Sequence, residues 1–303
     1  MYDVIIIGSG PAGLSAAIYA KRAALDTLVI EKSPLSGGQI LNTYEVDNYP
    51  GLPKISGMEL GQKMREHANQ QQVSFVTESV KEIISEDDVK KVVTNKNTYE
   101  TKTVILAMGA SHRALGVPGE EELCGMGVSY CATCDGAFFK NRIVAVVGGG
   151  DVALEDALFL ARGCKQVYLI HRRDEFRGAK ILQEQVRNTE NITLCMDSVV
   201  EKIEGEDSVE KILTINKKTQ EKKELEVQGV FIAVGILPNT DEIQGLPTRD
   251  EAGYIVAGED GVTNLPGVFV AGDCRTKQLR QVITATADGA NAVTSVEKYL
   301  FKM

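Results

Sequence analysis

Unbroken apolar runs alternate along the chain with segments that have helical composition. One such run is VIII (residues 4–7), which ends at GSGPAG and is followed by LSAAIYAKRAA. Strands that are apolar at every position are typical of parallel sheets covered on both faces. The pattern returns at Ile143, where IVAVV leads into GGGDVALEDALFLARG. The chain is therefore predicted to contain an internal repeat of two α/β units.

Each predicted unit also ends in the same way. KTVILAMGA (102–110) and QGVFIAVGI (228–236) are apolar strands that run into a glycine. A polar stretch with hairpin character precedes each of them, VKKVVTNKNTYET in the first unit and VEKILTINKKTQEKKELEV in the second. The predicted fold class is α/β, with two Rossmann-like, three-layer ββα nucleotide-binding domains.

The glycines of the first unit match a dinucleotide-binding turn. Gly8, Gly10 and Gly13 follow the buried strand with the G-x-G-x-x-G spacing. Such a turn lets backbone approach a pyrophosphate, which the N-terminus of the next helix stabilises. The following strand, TLVI, ends at Glu31, where a carboxylate suits a ribose hydroxyl. The first unit is expected to take an unphosphorylated ribose.

The second unit has the same turn with the opposite charge at the ribose position. Gly148, Gly150 and Ala153 give the G-x-G-x-x-A form, and the next strand ends at His171, at the same offset as Glu31. Guanidinium groups follow, and they match a ribose 2′-phosphate. These arginines are Arg172, Arg173 and Arg177. The second unit is therefore expected to bind NADP(H).

Composition and charge exclude several other classes. The 303 residues suffice for two domains, and the net charge of -9 repels nucleic acid and anionic membranes, so neither is an expected partner. No apolar run approaches the ~20 residues of a membrane span. The first strand leaves no room for a signal peptide, and 6 scattered cysteines do not form a secreted disulfide scaffold. A cytoplasmic location is expected.

A close cysteine pair, Cys131 and Cys134, stands before the second nucleotide turn, with Asp135 beside it. A zinc site would need two more ligands at close spacing, and the other cysteines and the histidines are isolated, so no metal is expected. A structural disulfide would close a tiny loop and stabilise little. The third alternative, a redox dithiol, has the close spacing and an acid that can move protons.

A dithiol and a nicotinamide each move two electrons but react poorly with each other. A flavin can accept hydride on one side and exchange electrons with a thiolate on the other. On this reasoning the first unit holds FAD, the second holds NADPH, and the cysteine pair passes the electrons on.

From end to end, the chain resembles the low-molecular-weight thioredoxin reductases. The motifs that carry the resemblance include GSGPAG, GGQI, CATCDG, HRRDEFR and GVFVAGDCRTKQLRQV. It implies a homodimeric NADPH-dependent thioredoxin-disulfide reductase, in which hydride passes from NADPH to FAD and then to the Cys131–Cys134 disulfide. Cys131 then attacks oxidised thioredoxin or a related redoxin, Cys134 is the thiol nearer the flavin, and Asp135 is the general acid/base.

The resemblance also implies the cofactor contacts and the domain order. The implied FAD contacts are Gly8, Gly10, Pro11, Ala12, Gly13, Glu31, Gly37, Gly38, Gln39, Asn48, Gly272, Asp273, Arg280, Gln281 and Val282. The implied NADPH contacts are Gly148, Gly150, Asp151, Val152, His171, Arg172, Arg173 and Arg177. The FAD-binding domain would be discontinuous, with residues 1–113 and 244–303, and residues 114–243 would form an inserted NADPH-binding domain that carries the dithiol.

Three other functions use similar parts. The flavin arm of a peroxide-reducing system usually carries an extra N-terminal redoxin module, whereas this chain begins directly with the FAD strand. Ferredoxin- or flavin-linked reductases on this scaffold lack either the dithiol or the arginines, and this chain has both. A nucleotide-sensing protein without turnover would have no use for a dithiol beside an acid.

Overall fold

The computed structural model describes residues 1–43, 45–86 and 88–302, apart from the side chain of Asn42. Its α-helices are α1 (Pro11–Arg22), α2 (Gly57–Gln70), α3 (Ala132–Asp135), α4 (Asp151–Ala161), α5 (Lys180–Arg187) and α6 (Val282–Leu300). Its strands are β1 (Tyr2–Ile7), β2 (Thr27–Glu31), β3 (Ser74–Thr77), β4 (Val80–Glu86), β5 (Val89–Thr94), β6 (Thr98–Leu106), β7 (Ala110–His112), β8 (Val128–Ser129), β9 (Ile143–Gly148), β10 (Gln166–Ile170), β11 (Ile192–Cys195), β12 (Ser198–Glu204), β13 (Lys211–Asn216), β14 (Lys222–Glu226), β15 (Gly229–Ala233), β16 (Ile236–Pro238) and β17 (Val268–Val270).

The chain folds into two compact units. The first unit contains residues 1–41, 49–111 and 237–303, and the second contains residues 42–48 and 112–236. Among the described residues, we find no helix with the length and apolar character that a membrane span requires.

The first unit is built on a sheet with strand order β3-β2-β1-β6-β5-β4, with β17 also beside β6. Strands β3, β2, β1, β6 and β17 are parallel, and β4, β5 and β6 form an antiparallel meander. Val4 and Ile6 of β1 pack with α1 and α6 on one face, while Ile5 and Ile7 pack into a second core on the other. Because both faces are covered, every inner position of β1 is apolar.

The second unit repeats this arrangement. Its parallel sheet has the order β11-β10-β9-β15-β8, and β12, β13 and β14 form a separate antiparallel sheet. Val144 and Val146 of β9 pack with α4, whereas Ala145 and Val147 face the opposite core. The predicted α/β class with two Rossmann-like units is confirmed, and the polar stretches with hairpin character are the antiparallel strands.

Candidate active site

The first glycine turn brings backbone segments closer than any side chain would permit. A Cβ atom on Gly8 would lie 2.4 Å from the carbonyl oxygen of Ala107, and one on Gly13 would lie 2.0 Å from that of Gly8. Gly10 is the N-cap of α1 and contributes no side-chain cap. The N–H groups of the first helical turn therefore remain available to an anion such as a pyrophosphate.

Glu31 at the end of β2 holds this turn in place. Its Oε2 accepts hydrogen bonds from the Ser9 N–H (2.7 Å) and hydroxyl (2.8 Å), and its Oε1 accepts one from Ser33 N–H (3.0 Å). Ser9 Oγ also lies 2.9 Å from Ser36 Oγ, to which Arg65 Nη1 donates at 2.8 Å. A carboxylate accepts about four hydrogen bonds, so Glu31 has room for a ribose hydroxyl. Ser9 stands inside the GSGPAG motif but was not singled out, and Ser36 and Arg65 belong to no motif, so the sequence analysis missed all three.

The GGQI segment lies against the same turn. Gly37 and Gly38 have positive φ angles of 135° and 60°, a conformation that favours glycine. Gly37 N–H donates to Ser9 O at 2.9 Å, and a Cβ atom on Gly38 would lie 3.5 Å from the Cα of Gly10. Gln39 Nε2 donates to the carbonyl oxygen of Ala110. Asn48 is exposed and belongs to the segment 42–48, which groups with the second unit.

Gly272 and Asp273 lie beside the start of α1. A Cβ atom on Gly272, whose φ is +81°, would lie 2.8 Å from the Cβ of Ala12, so Ala12, which follows Pro11 in the first turn of α1, packs closely against Gly272. The Oδ1 atom of Asp273 is buried and has no hydrogen-bond partner among the described residues. Burial raises the pKa of this carboxyl, although the nearby cations Lys277 and Arg280 oppose the shift. A buried, unpartnered carboxyl oxygen fits a hydroxyl donor on a bound cofactor.

Asp288 on α6 accepts hydrogen bonds from the turn that contains Gly272 and Asp273 and from the residues that follow it. Its Oδ2 accepts hydrogen bonds at 2.9 Å from Gly272 N–H, Arg275 Nε and Lys277 Nζ, and its Oδ1 accepts one from Arg275 Nη2 at 2.7 Å. Burial opposes ionisation, but the hydrogen bonds from Arg275 and Lys277 prevail and lower the pKa of Asp288. This residue was also missed, because nothing in the sequence of a helix shows which distant turn it supports.

The residues after this turn lead directly into α6. Arg280 Nε donates to Asp273 O at 3.4 Å, and its guanidinium carbon lies 4.1 Å above the ring of Tyr254. Gln281 is the N-cap of α6 and takes part in a capping box, and Val282 is the first helical residue. These contacts fix the backbone on which the predicted FAD contacts Arg280, Gln281 and Val282 are placed.

The second glycine turn reproduces the first. A Cβ atom on Gly148 would lie 2.4 Å from the carbonyl oxygen of Ala233, the same distance as at Gly8. Gly150 is the N-cap of α4 and again contributes no side-chain cap, so free N–H groups point out of the helix. Val152 in the first turn of α4 is 58% exposed. Both turns thus fit the pyrophosphate of a dinucleotide.

The segment after β10 is bonded to this second turn. Arg177 N–H donates to Gly149 O at 2.8 Å, and Ala179 N–H donates to Asp151 Oδ1 at 2.7 Å. The ring of His171 is buried against Gly149, with Nε2 3.0 Å from the carbonyl oxygen of Glu175. Burial lowers the pKa of His171, so the ring is neutral at pH 7. The ring packs directly against Gly149 of the glycine turn.

The predicted phosphate-binding arginines are exposed on this segment. In the part of the chain that the structure describes, their guanidinium groups have neither a carboxylate within 4.0 Å nor a hydrogen-bond acceptor. They are Arg172, Arg173 and Arg177. By contrast, the neighbouring Lys218 pairs with Asp174 at 2.8 Å and Asp197 at 3.1 Å. The arginines are therefore available to a dianionic phosphate.

Cys131 and Cys134 form a disulfide across the start of α3. Cys131 is the N-cap of this short helix, and its carbonyl oxygen accepts the N–H groups of Cys134 (3.2 Å) and Asp135 (3.1 Å). Both cysteines are half-buried, so a partner can approach them. Within the described ranges no cluster of three or more potential metal ligands is present.

The two carboxyl oxygens of Asp135 differ in their hydrogen bonding. Ser129 Oγ donates to Oδ2 at 2.6 Å, whereas Oδ1 is buried without a hydrogen-bond partner among the described residues. Burial raises the pKa of Asp135, and the bond from Ser129 partly opposes this shift. A carboxyl group of this kind exchanges protons near neutral pH more readily than an exposed one. Ser129 is another residue that the sequence analysis missed.

The chain is similar to known proteins along almost its whole length. The family model for pyridine nucleotide-disulphide oxidoreductases matches residues 2–289. The chain belongs to this family. It is 46% identical over 301 residues to the thioredoxin reductase of Listeria innocua, covering 99% of this chain and 94% of that protein. The thioredoxin reductase of Bacillus subtilis is 44% identical over 301 residues, with 99% and 95% covered.

Solved structures give the same result. The thioredoxin reductase of Streptococcus pyogenes matches with a TM-score of 0.95 and 45% identity, covering 100% of this chain and 99% of the other. That of Giardia duodenalis matches with a TM-score of 0.92 and 35% identity, covering 99% of both chains. The predicted resemblance is confirmed, and so are the cofactors, since this oxidoreductase family uses FAD and NADPH.

The other cysteines of this oxidoreductase are unsuited to thiol exchange. Burial raises the pKa of Cys164 and of Cys274 to about 11, which keeps both in the unreactive thiol form. Burial also raises the pKa of Cys124 and Cys195. Among the described cysteines, the Cys131–Cys134 pair is therefore the candidate for thiol exchange.

Proposed function

We propose that the chain is an NADPH-dependent thioredoxin-disulfide reductase that uses Cys131 and Cys134 as its redox pair. The observation that carries this proposal is the accessible disulfide at the start of α3, with a partly unpartnered carboxyl group on the same helix. A structural disulfide or a metal half-site would not need that acid. The identity to thioredoxin reductases over nearly the whole chain supports the choice of thioredoxin as the partner.

The two units divide the cofactors between them. The first unit binds FAD through its glycine turn, Glu31 and Asp273, and the second binds NADPH through Gly148, Gly150 and the exposed arginines. The domain boundaries that we propose are 1–113 with 244–303 for FAD and 114–243 for NADPH; they differ from those of the compact units at the two crossings and at the segment 42–48. When bound, FAD would supply the redox chemistry that connects a two-electron donor, NADPH, to a two-electron acceptor, the Cys131–Cys134 disulfide.

The dithiol then reduces its partner by thiol–disulfide exchange. The Cys131 thiolate attacks one sulfur of the thioredoxin disulfide, forms a mixed disulfide and releases the first partner thiolate. The Cys134 thiolate attacks Cys131 Sγ, which restores the enzyme disulfide and releases the second partner thiolate. Asp135 moves a proton from each enzyme thiol to each partner thiolate, so two electrons and two protons pass to thioredoxin.

We also propose that the protein is a cytoplasmic homodimer. The dimer rests on the resemblance to low-molecular-weight thioredoxin reductases. The location rests on the cysteines, because four thiols stay unpaired while one pair is used for exchange, as is common in reducing compartments.

Cysteine-to-serine variants test the proposed redox pair. Cys131→Ser and Cys134→Ser should each abolish NADPH-dependent reduction of thioredoxin, because a single thiol cannot complete the exchange. Cys124→Ser removes a half-buried cysteine on the same unit and should retain the activity. Reduction of the thioredoxin disulfide is followed by its free thiols. Substantial turnover in Cys134→Ser would show that electrons leave by another route.

A further inference from the structure

Ser129 connects the redox pair to Asp135. It is the last residue of β8 and lies opposite Phe231 of β15, so the sheet fixes its backbone. The side chain is only 5% exposed. Ser129 Oγ donates to Asp135 Oδ2 at 2.6 Å and accepts the N–H of Cys131 at 3.1 Å. Its approach to the Cys131 carbonyl oxygen is longer, at 3.4 Å, so the hydroxyl proton is directed at the carboxylate.

This contact distinguishes the two oxygens of Asp135. Oδ2 is occupied by the Ser129 hydroxyl, and buried Oδ1 has no partner within the described residues. A carboxylate that is free to turn could present either oxygen to a thiol. Here the bond to Ser129 stops that rotation, and Oδ1 is the atom left to receive a proton.

Among the described residues, burial and the bond from Ser129 are the main influences on the pKa of Asp135. On the side of α4, the chain packs against Gly136 through Phe159 and Leu160, which are apolar. The described titratable groups near Asp135 include the exchange cysteines, which begin and belong to the same short helix, and Cys124, on which the charge of Asp135 acts. Burial, and then the charge of Asp135, raise the pKa of the Cys124 thiol. Glu120 lies near Cys124 but is engaged by Tyr130 Oη at 2.8 Å and by Gly116 N–H at 2.7 Å.

We propose that Ser129 is a positioning residue, which holds Asp135 so that Oδ1 receives and returns the protons of the exchange reaction. This inference rests on the proposed function and deepens it. In each half of the exchange, an enzyme thiol gives its proton to Oδ1 as its sulfur attacks a disulfide. The departing partner thiolate then takes that proton, and Asp135 is again ionised.

The inference predicts a pH shift in a variant that keeps every reacting group. Ser129→Ala removes a bond that favours the ionised carboxyl, so the Asp135 pKa should rise. The limb of the pH–rate profile that belongs to Asp135 should move to higher pH by about 1–2 units, the size expected for a hydrogen bond to a charged group. The rate is measured with the NADPH-reduced holoenzyme and an aromatic disulfide. Asp135→Asn identifies the limb by removing it.

Three controls separate positioning from general damage. Ser129→Thr keeps the hydroxyl and should keep the wild-type limb, whereas Ser129→Gly provides a second hydroxyl-free variant and should shift it. Cys124→Ser should leave the limb in place, since Cys124 is not its source. The infrared band of the Asp135 carboxyl, identified by its loss in Asp135→Asn, gives the same titration without turnover.

The two hypotheses fail differently. An Asp135 titration that is the same in wild type, Ser129→Ala and Ser129→Gly would overturn the role of Ser129, whatever the activity. Failure of the wild-type enzyme to reduce thioredoxin, with the predicted infrared shift intact, would count against the proposed function and leave the positioning of Asp135 standing.

Discussion

At the scale of single residues, the ribose positions of the two glycine turns carry opposite charge. Glu31 braces the first turn and accepts hydrogen bonds, whereas Arg172, Arg173 and Arg177 stand exposed beside the second without acidic partners in the described chain. Charge-assisted hydrogen bonds contribute roughly 1.5–3 kcal/mol each. Substituting Arg172→Ala and Arg173→Ala together should therefore weaken NADPH binding about a hundredfold, with little effect on NADH.

The measurement is the KM and the dissociation constant of each nicotinamide cofactor. Arg162→Ala, which removes an exposed arginine at the C-terminus of α4, is the matched control and should change neither. Equal losses for NADPH and NADH in the double variant would exclude a role in recognising the 2′-phosphate.

Single residues also show what a sequence does not reveal. The dithiol, its acid and the glycines stand in short local motifs, so they could be named in advance. Ser36, Arg65 and Asp288 act through contacts with residues that are distant in sequence, and Ser129 stands just outside the CATCDG motif whose residues it contacts. Only the fold places them beside the groups that they hold.

At the scale of elements, helices α1 and α6 come into close contact at Gly289 of α6. A Cβ atom on Gly289 would lie 2.2 Å from the carbonyl oxygen of Ala12 and 2.8 Å from the N atom of Ala16. Gly289→Ala should push α6 away from the first turn of α1, where the pyrophosphate of FAD would bind. We expect a loss of about 1–3 kcal/mol in the free energy of unfolding and faster release of FAD.

FAD release is followed by flavin fluorescence during urea titration. Gly163→Ala is the control, since a Cβ atom there would meet nothing within 4 Å. It should neither destabilise the protein nor release FAD. If Gly289→Ala binds FAD as tightly as the control does, contact between the two helices is not what shapes the cofactor site.

Some elements of the fold can be predicted from sequence patterns, and others cannot. Strands β1 and β9 are predicted because burial on both faces makes every inner residue apolar, which is a local signal. The grouping of residues 42–48 with the second unit has no such signal, because it depends on contacts of a short segment with residues far along the chain.

At the scale of the whole molecule, one chain combines two nucleotide turns with an exchange dithiol. The repeated glycine geometry at Gly8 and Gly148 fits two dinucleotides, and the disulfide between Cys131 and Cys134 is the electron exit that we propose. The fold class and the oxidoreductase family predicted from the sequence are confirmed. The assignment of individual residues to FAD and NADPH remains our prediction.

The central claim is that electrons from NADPH leave the protein as thiols on thioredoxin. The most direct test mixes the FAD-loaded enzyme with NADPH and oxidised thioredoxin, then measures NADPH consumption and new thioredoxin thiols in the same sample. A two-electron exchange predicts two thiols for each NADPH consumed. NADPH oxidation without stoichiometric thioredoxin thiols would contradict the claim.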